Sequence, residues 1–306
     1  MPVFSSGPAL DAIVSGASGF VGRALASCIG ARCRALRLGC EGWQEEIEGA
    51  ALRGATVFHL AARVHHAHES DAEFERDNVR KTVVLAEAAA AKGARRFVFL
   101  SSVKVNGEET HGQPFGPGDR EVPADAYARS KWAAERALHD IARSSKLSIA
   151  IVRSPLVIGN GAGGNLHALM KLADTSWPLP FGALDNRRTF VHVDDLARLL
   201  CLCGTQPHAD GRVFFAGDPD SVSTARLVRT LRRALGRPPR LVPVDPRALE
   251  AVAALAGQSL RVRPLTRSLE IDVSQTEREL GWQPGIPMEE GIAAMARAYR
   301  ARDNTA

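Results

Sequence analysis

Tyr127 and Lys131 stand four residues apart in the run Tyr127-Ala128-Arg129-Ser130-Lys131. On a helix that spacing places a phenol and an ammonium on one face. A neighbouring cation favours phenolate, so the pair predicts a tyrosine of lowered pKa that takes or gives a proton near neutral pH. Lys131 could also hold a ribose. Ser102 lies 25 residues before Tyr127, just past an apolar run. Its hydroxyl could bond the oxygen that Tyr127 protonates, although Ser101 and Ser102 taken alone read more readily as a strand-end cap. The other tyrosine, Tyr299, has Asp303 at the fourth position after it and cannot play this part.

A second constellation lies near the N-terminus: Ser15-Gly16-Ala17-Ser18-Gly19-Phe20-Val21-Gly22. Gly16 permits a tight turn, Gly19 lets backbone approach a pyrophosphate, and Gly22 lets the following helix sit close on the sheet. A helix opening here offers free N–H groups and positive potential to phosphates, which points to a dinucleotide. Contacts are expected from Gly16, Ser18, Gly19, Phe20, Val21 and Gly22, and from the small residues after His59, namely Leu60, Ala61 and Ala62. The second strand ends Ala35-Leu36-Arg37-Leu38, without the acid that commonly binds a ribose 2′-hydroxyl. Arg37, with Arg34, could instead pair with a 2′-phosphate or simply face solvent. This favours NADP(H) and leaves NAD(H) open.

The elements that must position these groups follow from the pattern. Residues 10–15, 34–38, 56–60, 96–100 and 148–153 read as strands, and 19–29, 72–91 and 124–143 as helices. Such alternation implies βαβ units and a doubly wound parallel sheet, a Rossmann-like α/β fold. The Gly- and Pro-rich loop at 105–123 is long enough to border a site. Beyond about residue 155 the texture changes. Glycine-rich 159–165 and non-helical 177–182 precede a strand-like 188–193, a helix at 224–235, an irregular 259–272 and a last helix at 288–301. The expectation is a dinucleotide-binding domain at 1–155. Residues 156–306 would form mainly a smaller substrate-binding lobe that returns some segments to the sheet.

Composition narrows the partners. The chain has 306 residues, 45% apolar and 24% charged, with a net charge of +5. Its arginines and lysines are scattered, and two tyrosines give little aromatic interleaving, which argues against nucleic acid. A positive balance suits phosphate-bearing ligands. No apolar run is long enough to span a bilayer, and no early charge precedes the first apolar run, so a cytoplasmic protein is expected. The five cysteines include no CxxC pair and read as reduced, mostly buried thiols. His65, His66 and His68 read as a polar loop rather than a metal site, and Asp194-Asp195 as acids at a helix start.

Taken together the motifs resemble the extended short-chain dehydrogenase/reductases, the family of the UDP-galactose epimerases and nucleotide-sugar dehydratases. The resemblance spans nearly the whole chain. It rests on the early glycine loop, His59-Leu60-Ala61-Ala62, Asn78-Val79, Ser102-x-x-Val105-Asn106-Gly107, Tyr127-xxx-Lys131, the segment 188–197 (RTFVHVDDLA) and Gly281-Trp282. It implies that Ser102, Tyr127 and Lys131 form a catalytic triad and that Asn78 and Pro155 join the cofactor site. It also implies that Arg188 grips a substrate diphosphate. Asn165 is similar to the uridine-phosphate contact, or caps its loop. Arg263 or Arg267 would make a second diphosphate contact. A homodimer through 72–91 and 124–143 is implied too.

Within the family, the 4,6-dehydratases carry an Asp-Glu pair just after the serine position. Val103 and Lys104 stand there instead. The run Ser101-Ser102-Val103-Lys104-Val105-Asn106-Gly107-Glu108 and the segment 178–191 resemble a bacterial subgroup close to the UDP-4-keto-6-deoxy-hexosamine 4-reductases of surface-polysaccharide synthesis. The expected activity is therefore reduction of a UDP-linked 4-keto sugar. A UDP-hexose 4-epimerase with tightly held NAD is the alternative, and a non-catalytic dinucleotide-binding module is a third reading.

Overall fold

The computed structural model describes residues 10–64 and 70–303. The first half runs β1 (Ala12–Ser15), α1 (Phe20–Ile29), β2 (Cys33–Leu36), α2 (Trp43–Gly49), β3 (Thr56–His59), α3 (Asp71–Phe74), a π-helical segment (Glu75–Arg80), α4 (Lys81–Ala91), β4 (Arg96–Ser102), α5 (Ala126–Ser144) and β5 (Ser148–Ser154). The second half adds β6 (Leu156–Ile158), α6 (Gly164–Ala173), β7 (Phe190–His192), α7 (Val193–Thr205), β8 (Val213–Phe215) and α8 (Thr224–Ala234). The remaining helices are α9 (Pro246–Leu255), α10 (Ser259–Thr266), α11 (Ser274–Leu280) and α12 (Met288–Asp303).

Six strands pair in parallel in the order β2-β1-β3-β4-β5-β8. The strands are apolar on both faces, as a sheet covered on both sides requires. Ile13, Val57, Phe97, Phe99, Ile149 and Ile151 meet Leu85, Ala89, Ala134 and Leu138 of α4 and α5. The alternate residues Val14, Phe58, Val98 and Val152 face Leu25 of α1 and Leu196, Leu199 and Leu200 of α7. At Gly204 a Cβ would stand 2.6 Å from the Phe58 ring, so α7 lies close on the sheet there. The chain turns opposite ways from β1 to reach β2 and β3, and the crevice at that switch point is where such sheets bind ligands.

A third core packs Leu166, Leu169 and Met170 of α6 with Leu227, Val228 and Leu231 of α8 and Ile292 and Met295 of α12. The parallel pair β6-β7 leads into it. Two expectations are corrected. Residues 72–91 are not one regular helix: α3 passes through the π-helical segment before α4 begins. Residues 259–266 form α10 rather than irregular chain, despite Pro264 within it. No helix among the described residues is long and apolar enough to cross a membrane.

Candidate active site

The glycine loop joins β1 to α1 at the switch point. Gly16 has φ +78°, and a Cβ on it would lie 2.7 Å from the backbone nitrogen of Ala61. A Cβ on Gly22 would fall 2.0 Å from the Gly16 carbonyl oxygen, so Gly22 serves the approach of helix to loop rather than of helix to sheet. Gly19 is the N-cap of α1; its side supports no cap bond, and the first turn holds no acid. By contrast α5, α8 and α9 are capped by the side chains of Asp125, Ser223 and Asp245. An uncapped helix start beside Leu60, Ala61 and Ala62 fits a dinucleotide pyrophosphate, which would meet the N–H groups of Phe20 and Val21. Arg37 follows β2, is 79% exposed and pairs with Glu46 at 3.2 Å.

His59 closes β3 beneath this loop. It is buried and bonded on both ring nitrogens, to Ser15 Oγ at 2.6 Å and Thr82 Oγ1 at 2.8 Å. Burial, helped by the nearby Lys131 charge, pushes it down to about 3, so it stays neutral. The π-helical segment turns Asn78 inward. Its side chain accepts from Arg63 N at 2.7 Å and donates to Arg63 O at 3.0 Å and Ser130 Oγ at 2.9 Å. Asn78 thus fastens the chain after Ala62 to α5. His65, His66 and His68 lie outside the described residues.

Ser102 is the last residue of β4 and stands in register with Ser154 of β5, with buried Pro155 next along. Asp125 starts α5 by accepting from Ala128 N at 2.6 Å, and Lys104 Nζ holds Asp125 at 2.6 Å and Glu108 at 3.2 Å. These contacts set Tyr127 on the first turn of α5, where its hydroxyl is hydrogen-bonded to Ser102 and its ring meets Phe74 edge-on at 6.4 Å. Ser130 Oγ donates to the Tyr127 carbonyl at 2.7 Å. Lys131 is buried with its Nζ 4.1 Å from the centre of the Phe99 ring. The expected lowering of the tyrosine is corrected. Burial and the Asp125 carboxylate push Tyr127 up to about 12, the Ser102 bond opposing them, while burial pulls Lys131 down to about 7 against Glu135.

The substrate-side residues come from the second half. Arg188 is half-buried, its Nη1 donates to the Arg267 carbonyl at 3.0 Å, and burial pushes it down to about 10. Among the described residues it joins no ion pair. Asn165 is exposed in the first turn of α6, whose N-cap Gly163 gives no side-chain bond. Arg263 is exposed one turn before Arg267 on α10. The Arg267 side chain is taken by Glu250 at 2.7 Å, so its backbone, not its guanidinium, meets Arg188.

This geometry agrees with the comparisons to known proteins. Residues 44–217 match the model of the NAD dependent epimerase/dehydratase family. The chain belongs to that family. It is 38% identical over 254 residues to a UDP-glucose 4-epimerase of Vibrio cholerae, covering 81% of this chain and 77% of that one. A Thermotoga maritima UDP-glucose 4-epimerase solved with UDP-glucose superposes with a TM-score of 0.75 at 22% identity, over 95% of this chain and 99% of that one. The Pseudomonas aeruginosa protein RMD, solved with NADPH, superposes at 0.77 and 19% identity over the same shares. The chain is therefore an enzyme of the nicotinamide-dependent nucleotide-sugar epimerases, dehydratases and reductases.

Other family motifs acquire structural reasons. Asp195 is buried and accepts from Gly285 N at 3.0 Å, Ile286 N at 3.2 Å and Arg198, while Trp282 Nε1 donates to its carbonyl at 3.1 Å. The Asp-Asp and Gly-Trp motifs thus bind each other. Sequence reasoning missed Glu135 and Arg153, a buried ion pair at 2.6 Å to which the Ser101 hydroxyl also donates. An acid four residues after Lys131 was the available signal. The thiols are also corrected. Only Cys203 is buried; Cys40 is exposed, and Cys28 and Cys201 sit half-buried with their sulfurs 3.3 Å apart.

Proposed function

We propose that this enzyme reduces the C4 ketone of a UDP-linked 4-keto-6-deoxy-hexosamine for surface-polysaccharide synthesis. Tyr127, which burial and Asp125 hold as the protonated acid while its hydroxyl meets Ser102, supplies the proton donor that reduction and epimerisation share. The observation that favours reduction is Arg37, rather than an acid, directly after β2, which suits exchangeable NADPH. A ketone needs a proton donor at its oxygen, and a phenol held at about 12 is charged with its proton throughout the neutral range. Bound nicotinamide would supply the hydride. Tyr127 gives its proton to the developing alkoxide, Ser102 steadies that oxygen by hydrogen bonding, and Lys131 sets the local charge. Arg188 faces the substrate diphosphate, and Asn165 and Arg263 flank it.

The positions where dehydratases carry acids are filled otherwise. Val103 is buried, and Lys104 is spent on Asp125 and Glu108. For the cofactor, NADP(H) is the preferred reading. Arg37 is the charged residue directly after β2, and its exposed pairing with Glu46 is weak enough for a 2′-phosphate to displace. A UDP-hexose 4-epimerase is the second reading, favoured by the 38% identity to the Vibrio cholerae protein. Both readings need the same phenol. Tyr127→Phe should bind dinucleotide as the parent does and lose about 10²- to 10⁴-fold in turnover. Undiminished turnover would remove Tyr127 from the chemistry.

A further inference from the structure

The catalytic residues stand on a buried carboxylate that their own roles leave unexplained. Glu135 has no exposed surface and follows Lys131 by one helical turn on α5. Arg153 of β5 grips it, with Nη2 2.6 Å from Oε2 and Nε 3.1 Å from Oε1. Ser101, adjacent to Ser102, donates its hydroxyl to the same carboxylate. Arg153 also donates to Asn106 Oδ1 at 3.0 Å and Glu121 at 3.1 Å, and its guanidinium lies 5.7 Å from the Trp132 ring centre. One ion pair therefore joins the end of β4, the catalytic face of α5, β5 and both ends of the 105–123 loop. Desolvating two charges costs several kcal/mol, about what their attraction returns, so net stability gives no reason for it.

The surroundings of Lys131 supply one. From α5 it has Tyr127 a turn before and Glu135 a turn after. From β3 comes His59, kept neutral, and from β4 the uncharged Phe99 ring. The π-helical segment offers uncharged Asn78 to neighbouring Ser130, and its Asp77 is occupied by Arg63, Arg76 and Lys81. The Arg153 cation is itself bound to Glu135. Among these groups Glu135 alone brings negative charge towards the buried ammonium.

We infer that Glu135, clamped by Arg153, is the positioning residue of the triad: it ties the strand end bearing Ser102 to the helix face bearing Tyr127 and Lys131 and supplies the counter-charge to the Lys131 ammonium. Glu135 is what opposes the burial that pulls Lys131 down to about 7. This inference rests on the proposed chemistry only for its kinetic consequence.

The test separates the two. The six lysines can be carbon-13 labelled at Cε and titrated by NMR in the unliganded protein, with Lys131→Arg assigning the buried signal. In Glu135→Gln the Lys131 midpoint should fall by about one pH unit. Should the stranded Arg153 prevent folding, Glu135→Gln/Arg153→Met removes both charges, and a smaller fall in the same direction is expected, because losing the cation partly offsets losing the carboxylate. An unmoved midpoint in a folded variant would overturn the inference. In turnover assays at pH 8, kcat should drop about tenfold with KM for the nucleotide sugar unchanged, following the lost ammonium fraction. A KM effect without loss of kcat would contradict the positioning role. If the parent turned over no 4-keto sugar, the proposed function would fall while the NMR titration still decided the role of Glu135.

Discussion

Arg188 shows how a single side chain can declare its ligand. Its guanidinium is half-buried, pushed down to about 10 by burial, and bonded to the Arg267 carbonyl. A desolvated cation with no carboxylate partner among the described residues gains most from an anion that arrives with the substrate. Arg188→Ala should raise KM for the UDP-sugar about tenfold to a hundredfold, the worth of one charged hydrogen bond, and leave the dinucleotide Kd unchanged. An unchanged KM would sink the diphosphate role. At this scale the sequence was informative about identity and poor about state. The four-residue spacing of Tyr127 and Lys131 is a helical fact, visible in one dimension. The rise of Tyr127 and fall of Lys131 come from burial beneath β3 and β4, which spacing cannot report. Arg37 likewise read as a free cation, because Glu46 reaches it only once α2 is folded.

Between elements, His59 is the clearest joint. It fastens the end of β1 through Ser15 to α4 through Thr82, at the foot of the glycine loop. The folded protein keeps His59 neutral down to about 3, whereas the unfolded chain takes up a proton near 6.5. Below pH 6.5 protonation therefore favours unfolding, and this residue removes about 1.4 kcal/mol of stability per pH unit until its folded pKa is reached. His59→Gln can bond both hydroxyls without titrating, so urea unfolding at pH 6.5, 5.5 and 4.5 should show a shallower decline in the variant. An identical pH slope would contradict the assignment. The first-half strands and α1 were legible because buried parallel strands are short apolar runs and because Gly16 and Gly22 mark a crowded turn. The π-helical segment was not, since Asn78 is drawn inward by Arg63 and Ser130, partners distant in sequence. Pro264, the sixth of the eight residues of α10, disguised that helix, because a proline inside a helix removes a backbone hydrogen bond.

Across the whole molecule, the two halves are interleaved. β8 completes the sheet from the second half, and Trp282 returns the late chain to Asp195 at the start of α7. Strand order and these returns depend on pairings far apart in sequence, so they lay beyond local pattern. β5 ends at Ser154 and β6 begins at Leu156, and the core of α6, α8 and α12 follows. The glycine loop follows β1 and Ser102 ends β4 in this one sheet. The most direct measurement follows NADPH and NADH absorbance while the purified enzyme acts on a UDP-4-keto-6-deoxy-hexosamine, with the sugar product quantified. One NADPH should be consumed per 4-hydroxy sugar formed, with NADPH preferred over NADH. Tightly bound NAD, no net consumption and interconversion of two UDP-hexoses would contradict it and establish the epimerase.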